Sequence, residues 1–154
     1  VLAAFRNHES ELSSKAVPKE NRPSSDEVLE MVRPSLEEIG FRIEGGKHGK
    51  IRRVVLKETQ NQRGKEIQVD GYHPEANCVL EVESGRGGES NAVHRDLIRG
   101  LAVNDTELMI IAVLNEYERS DRVARHFDRA DKTIQSLYSA SQVKMPFEVA
   151  LIGY

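Results

Sequence analysis

The sequence predicts an α/β fold with a mixed sheet, an antiparallel meander leading into parallel strands, flanked by helices on both faces. Three observations carry that expectation. The run Leu108-Met-Ile-Ile-Ala-Val-Leu114 is apolar without interruption, as a strand covered on both faces must be. It follows a helix-period segment, and that segment follows the strand-like Cys78-Val-Leu-Glu-Val-Glu-Ser84. A strand, a helix and a strand in that order predict a right-handed crossover with the two strands parallel. Upstream, Phe41 to Asp70 holds short alternating segments separated by Gly45-Gly-Lys-His-Gly49 and Gln60-Asn-Gln-Arg-Gly64, the punctuation of antiparallel strands.

The elements follow in order. Residues 1–25 are rich in Ser, Lys, Glu, Asn and Pro without a sustained period, which predicts a mobile arm, with room for a short helix over Leu2 to Leu12. Ser24-Ser-Asp26 reads as the N-cap of a helix to about Ile39, with Leu29, Val32, Leu36 and Ile39 inward, Pro34 kinking or dividing it, and Gly40 ending it. Strands are expected over Phe41 to Glu44, Lys50 to Glu58, Glu66 to Asp70 and Cys78 to Ser84. The helix from Ser90 to Val103 presents Val93, Leu97 and Leu101 at i, i+4 and i+8. After the Leu108 strand, a helix over Asp121 to Ser139 would bury Val123, Phe127, Ala130, Ile134 and Leu137, and a strand from Phe147 to Ile152 follows. Residues 26–154 thus form a single domain.

Bulk composition bounds the function. A chain of 154 residues with 38% hydrophobic and 31% charged residues supports one ordinary core. No apolar run approaches the roughly 20 residues of a membrane span, and the first residues, Val-Leu-Ala-Ala-Phe-Arg-Asn-His, carry no secretory signal pattern. The single cysteine, Cys78, has no internal disulfide partner, so a cytoplasmic location is expected. The five histidines are scattered without zinc-ligand spacing. Zero tryptophan and 5% aromatics argue against the stacking groove of a glycoside hydrolase, the other enzyme class built on paired carboxylates.

The chemistry concentrates in three acids. Glu81 and Glu83, at i and i+2, share one face of their strand while Cys78, Leu80 and Val82 take the other. In Glu66-Ile-Gln-Val-Asp70 the same alternation turns Ile67 and Val69 inward and Asp70 outward. If His73-Pro-Glu-Ala-Asn77 joins the two segments as a hairpin turn, Asp70, Glu81 and Glu83 gather on one surface. Such a cluster repels itself unless a hard divalent cation, most plainly Mg²⁺, compensates it. Beside it, Arg42 to Lys65 holds eight basic residues (Arg42, Lys47, Lys50, Arg52, Arg53, Lys57, Arg63 and Lys65) against Glu44 and Glu58. Positive charge next to a carboxylate cluster suits a phosphate backbone approaching a metal.

This order, with an acid ending one strand and Glu81-Val-Glu83 on the next, resembles the PD-(D/E)XK restriction-endonuclease-like superfamily, closest to the BamHI and BglII type of type II restriction endonucleases. The likeness runs through Val79-Leu-Glu-Val-Glu-Ser-Gly-Arg86, His94-Arg-Asp-Leu97 and Ile111-Ala-Val-Leu114. It implies a restriction-endonuclease-like sheet in a nuclease-like domain and Mg²⁺-dependent endonuclease activity on DNA, possible as sequence-specific restriction, with Mn²⁺ able to substitute. Asp70 and Glu81 would bind the metal, and Glu83 would stand where the family usually has lysine, as ligand, water-orienting group or general base. From the first helix Glu30 would join the site, with Glu37 and Glu38 as rivals. Lys47, Lys50, Arg52, Arg53, Lys57 and Arg95 would hold DNA. The expected partners are DNA and a second copy of the chain, with no membrane and no small-molecule organic cofactor. Val69 replaces the family's proline, and the missing lysine removes a group that usually stabilises charge near the scissile phosphate. The alternative is a nuclease-fold module that binds DNA or protein without cleaving.

Overall fold

The computed structural model describes residues 1–13, 17–45, 49–60, 62–84, 91–119 and 122–154. In chain order the elements are α1 (Leu2–Arg6), α2 (Glu9–Leu12), a 3₁₀ turn (Lys19–Asn21), α3 (Ser25–Glu38), β1 (Arg42–Ile43), β2 (Ile51–Leu56), β3 (Lys65–Val69), β4 (Gly71–His73) and β5 (Cys78–Glu83). They continue with α4 (Ala92–Ala102), β6 (Leu108–Val113), β7 (Glu116–Arg119), β8 (Arg122–Arg125), α5 (His126–Ser139) and β9 (Glu148–Gly153). Among the described residues no helix is long and apolar enough to cross a membrane.

A five-stranded mixed sheet in the order β1-β4-β5-β6-β9 organises the molecule. β1, β4 and β5 are antiparallel, whereas β5, β6 and β9 are parallel. As the unbroken apolar run requires, β6 lies between two strands and is covered on both faces. Ile110, Ala112 and Leu114 join Leu80, Val82 and Ile152 in one core with Phe5 of α1 and Val28, Leu29, Val32 and Leu36 of α3. Met109, Ile111 and Val113 face the other way, against Val93 and Leu97 of α4, Ala130 of α5, and Phe147. Each of the larger side chains (Val, Leu, Ile, Met and Phe) contributes about 1.5–3 kcal/mol by leaving water, so alternate residues of one strand weld helices to opposite faces.

α3 begins with a capping box: the Ser24 hydroxyl accepts from the Glu27 amide while Glu27 accepts from the Ser24 amide at 2.8 Å. Pro34 neither divides nor ends this helix, which continues to Glu38. The stop is a Schellman motif: Gly40 takes φ +98°, its N–H donates to Glu37 O, and the Phe41 N–H donates to Leu36 O. Ile39, expected inward, caps the helix and is exposed because the stripe has rotated past it. α4 likewise exposes Leu101 and turns Ala92, Val93, Asp96, Leu97 and Gly100 to the sheet. At Gly100 a Cβ would stand 2.7 Å from Met109 Sδ and 2.9 Å from the Phe147 ring, so the missing side chain sets how closely helix and sheet approach.

Three expectations are corrected. The stretch read as a mobile arm contributes Ala4, Phe5 and Leu12 to the core, because those apolar residues find the uncovered end of α3. The helix expected from Asp121 starts at His126; before it, β7 and β8 form a hairpin whose register sets Glu116 opposite Arg125 and Tyr117 opposite Ala124, favourable cross-strand pairs. Val123 is therefore an exposed strand residue. The meander is also not one sheet. β2 and β3 pair only with each other, as a two-stranded ribbon with a register shift between Val54 and Leu56. Its alternation leaves only Ile51, Val55, Ile67 and Val69 to pack inward, against Tyr72, Val79 and Val103. A strand with one apolar face cannot lie covered on both sides.

Candidate carboxylate centre

Asp70 stands at the crease where the chain leaves the ribbon at Val69 and enters the main sheet at Gly71. Gly71 pairs with Leu80, and continuing that register by one residue sets Asp70 across from Glu81. The ladder does not continue as backbone. Instead, the Val82 N–H, between the two glutamates, donates to Asp70 Oδ2 at 2.8 Å, and the Glu44 N–H donates to the Asp70 carbonyl at 2.9 Å. One aspartate thus closes the broken ladder with its side chain and is held against the strand bearing Glu81 and Glu83.

The face of β5 that carries those glutamates is covered by α4, so it is buried rather than solvated. Glu81 is 1% exposed and Asp96, which α4 turns inward, is 0% exposed. Ionised carboxylates at such depth cost several kcal/mol each unless compensated. Two arginines one turn apart on α4 supply part of that compensation. Arg99 Nη1 bridges Glu81 Oε2 at 3.0 Å and Asp96 Oδ1 at 3.2 Å. Arg95 donates to Glu83 Oε1 through Nη2 and to Asp96 Oδ1 through Nε at 3.3 Å. The compensation is incomplete. Glu81 Oε1 and Asp96 Oδ2 are buried without a hydrogen-bond partner among the described residues.

Titration follows from that geometry. Burial pushes Asp70 up to about 6, although the Val82 amide opposes the shift, and Glu44 and Asp96 repel its charge. Burial, with repulsion from Asp96, pushes Glu83 up to about 7 against the pull of Arg95. Glu81 rises well above the usual carboxylate range through burial and then through repulsion from Asp70 and Asp96. Asp96 is raised too, because its burial outweighs both arginines. The four acids sense one another's charge. The donor set is hard oxygen, with buried oxygens left over, which fits a divalent cation such as Mg²⁺. As the side chains stand, no three acidic, histidine or cysteine groups among the described residues form a ready metal cage; the arginines hold part of that space.

The remaining expected residues divide. Glu30 does not join the cluster: it is exposed on α3 and takes a two-point ion pair from Arg33, with Nη2 at 2.7 Å, because it lies on the helix face away from β5. On α3 the charge of Asp26 acts instead on Lys50, together with those of Glu44 and Asp70. Lys50 is not a free phosphate ligand. Its Nζ lies 2.8 Å from both oxygens of buried Glu44. Arg53 is also committed, to Asp105 at 2.7 Å and to the Tyr72 hydroxyl and ring face. Arg52 and Lys57 are exposed, and Lys47 lies outside the described residues. Glu44 and Arg99 were missed from sequence. Glu44 could have been suspected from its place just before Gly45, whose bridge to Gly49 sets Lys50 beside it. Arg99 could have been found as the residue one helical turn after Arg95-Asp96.

Comparison of the chain with protein-family models, with curated proteins and with solved structures gives no match in any of the three.

Proposed function

We propose that this protein is a Mg²⁺-dependent endonuclease that hydrolyses DNA phosphodiester bonds on a restriction-endonuclease-like fold, with Mn²⁺ able to replace Mg²⁺. The observation that carries the reading is the under-compensated carboxylate cluster at the junction of antiparallel and parallel strands, with Glu81 Oε1 and Asp96 Oδ2 buried and without a hydrogen-bond partner among the described residues. Asp70, Glu81 and Glu83 would hold the ion, which when bound supplies Lewis-acid stabilisation of phosphate charge and lowers the pKa of water. The order of elements on either side of Asp70 and Glu81 supports the same reading.

The chain's own groups have distinct tasks in this scheme. Asp70 is fixed by the Val82 amide, so its free oxygen is presented without loss of rotamer freedom. Glu83, with 13% of its side chain exposed against 2% for Glu81, is the carboxylate that water reaches. Held near neutrality, it is suited to take a proton from the attacking water. Arg99 keeps Glu81 and Asp96 oriented, whereas Arg95, half-exposed at the rim, can swing toward a phosphate oxygen. That arginine stands in for the superfamily lysine as the local cation. DNA is the substrate and the cytoplasm the place of action in this reading.

A second reading is a nuclease-fold module that binds without cleaving. It is favoured by the ion pairs of Glu83 with Arg95 and of Glu81 with Arg99, which neutralise the carboxylates internally. One experiment separates the two: incubation of plasmid DNA with the chain and Mg²⁺ or Mn²⁺, sequencing of any ends, and calorimetry of Mn²⁺ binding to wild type and Asp70→Ala. Cleavage and ion binding that both disappear in Asp70→Ala support the nuclease. DNA binding with neither ion uptake nor cleavage assigns the module.

A further inference from the structure

Arg95 and Arg99 share Asp96, yet they are not equally committed to the carboxylate centre. Arg99 uses one nitrogen, Nη1, for both Glu81 Oε2 at 3.0 Å and Asp96 Oδ1 at 3.2 Å. The side chains of those partners are 2% and 0% exposed, so withdrawing Arg99 would strip a donor from two buried carboxylates at once, the costly case for buried charge. Arg95 differs on both sides of its contact. Its side chain is 53% exposed, and it holds Glu83 Oε1 through Nη2 and Asp96 Oδ1 through Nε. If Arg95 withdraws, Asp96 Oδ1 keeps Arg99, and Glu83 Oε1 alone loses its donor. The guanidinium already meets water, so release costs little on the arginine's side.

We propose that Arg95 is a displaceable plug that couples the cation to the phosphate. It holds Glu83 until a divalent ion takes that oxygen, and the released guanidinium then binds a phosphodiester. The inference rests on the nuclease reading above and adds how its site is regulated. Glu83 Oε1 is where the two cations compete: a hard divalent ion needs carboxylate oxygens, and a guanidinium on the same oxygen repels it. Once off Glu83, Arg95 carries a fork of N–H donors that matches a phosphate and has no second acid to return to, since Asp96 is held by Arg99. Each ligand thereby opens the place of the other. An anion that draws Arg95 away raises affinity for the ion, and the ion raises affinity for the anion by the same factor, as linkage demands. The factor is set by the contact that must be broken. It is roughly tenfold, the low end for a charge-assisted hydrogen bond, because Arg95 is half in water. Arg99 takes no part in the exchange and remains a positioning residue for Glu81 and Asp96.

The test compares wild type, R95A and R95K in two measurements on the full chain. Calorimetry reads Mn²⁺ affinity without DNA, and fluorescence anisotropy reads affinity for a short labelled duplex in Ca²⁺ and in EDTA. Alanine suits a half-exposed helix position, so R95A should keep the fold, which circular dichroism checks. R95K keeps the charge but loses the two-point hold on Glu83 and Asp96, and it carries the test if R95A does not fold. The expected result is that R95A binds Mn²⁺ about tenfold more tightly than wild type, with R95K also tighter. The gain in duplex affinity that Ca²⁺ gives to wild type should shrink by about the same factor in R95A. Three results would overturn the proposal while the ion still binds, and so leave the nuclease reading standing. Mn²⁺ affinity in R95A that is equal to or below wild type makes Arg95 a positioning residue for Glu83. A tighter R95A beside an unchanged R95K reduces the effect to bare charge. An undiminished Ca²⁺-dependent gain in R95A shows that ion and phosphate are coupled without the arginine. Mn²⁺ binding to none of the three proteins, with or without the duplex, removes the nuclease reading and the coupling with it.

Discussion

Consider the chain in a chelating buffer, moved from pH 5 to pH 8. Asp70 titrates at about 6 in the fold against an ordinary 3.8, and Glu83 at about 7 against 4.5. Both folded values lie above the unfolded ones. Between about pH 4 and 7 the native state therefore retains protons that the unfolded chain has lost, and stability falls as pH rises. From pH 5 to 8 the loss is about 1 kcal/mol from Asp70 and about 2–3 kcal/mol from Glu83, roughly 4 kcal/mol for the pair. Glu81 and Asp96, raised by burial, act in the same direction. Against a typical stability of about 5–15 kcal/mol this is a large fraction, and for a chain of this size it corresponds to roughly 10 °C in Tm. Urea denaturation followed by circular dichroism, at half-unit pH intervals in EDTA, measures it. Asp70→Asn should flatten the part of the slope between about pH 4 and 6 while leaving the Glu83 part. Stability that is level or rising between pH 5 and 8 in wild type would refute the account of the cluster as under-compensated.

Four further outcomes follow from the same geometry. At pH 8, Mn²⁺ at a hundred times its Kd should return about 2.7 kcal/mol of stability to wild type and nothing to Asp70→Asn, as read by thermal melts. Glu83→Lys sets a second cation against Arg95 and removes an anionic oxygen, so calorimetric Mn²⁺ affinity and plasmid cleavage should fall together; full activity at unchanged affinity would show that Glu83 is no ligand. Because Lys50 and Arg53 are held by Glu44 and Asp105, whereas Arg52 has only a long, exposed pair with Glu66 and Lys57 is exposed, R52A/K57A rather than removal of Lys50 and Arg53 should reduce the slope of log affinity for duplex DNA against log salt, by about 2. Gly100→Ala puts a methyl into the space of Met109 and Phe147 and should cost about 1–3 kcal/mol of stability, measured by urea melts.

The sheet's parallel half was legible because Leu108 to Leu114 and the flanking helix periods admit few arrangements. The start of α3 was legible because Ser24-Ser-Asp26 offers N-cap residues just ahead of an apolar stripe, and its end because Gly40 readily takes the conformation that stops a helix; the Glu27 half of the capping box was not read. What the residues did not disclose was three-dimensional choice. Alternation showed that Glu81 and Glu83 share a face, but not that α4 covers it, since Asp96 on a helix reads as a surface charge until Leu97 and Gly100 are seen to turn it inward. The spacing of Glu30 from Gly40 points it to the site, but Arg33 at i+3 captures it. The split between ribbon and main sheet depends on one residue, Asp70, whose side chain replaces a backbone partner; a propensity scale carries no term for that.

Ser25 and Ser84 make a clasp across 59 residues: the Ser84 N–H donates to Ser25 Oγ at 3.0 Å, and the Ser25 hydroxyl donates to Ser84 Oγ at 3.2 Å. The start of α3 is thereby fastened to the strand end that bears Glu83. In the main sheet the β4–β5 hairpin is the local pairing, while β6 and β9 must be fetched from far along the chain. Loop closure delays such distant partners. The clasp is such a distant contact, whereas Asp70 already faces Glu81 at the mouth of the local β4–β5 hairpin. Mutual repulsion among Asp70, Glu81 and Glu83 is therefore present from the hairpin onward and the docking of α4 adds their desolvation, so charge-neutralising changes at the centre should hasten folding as well as slow unfolding.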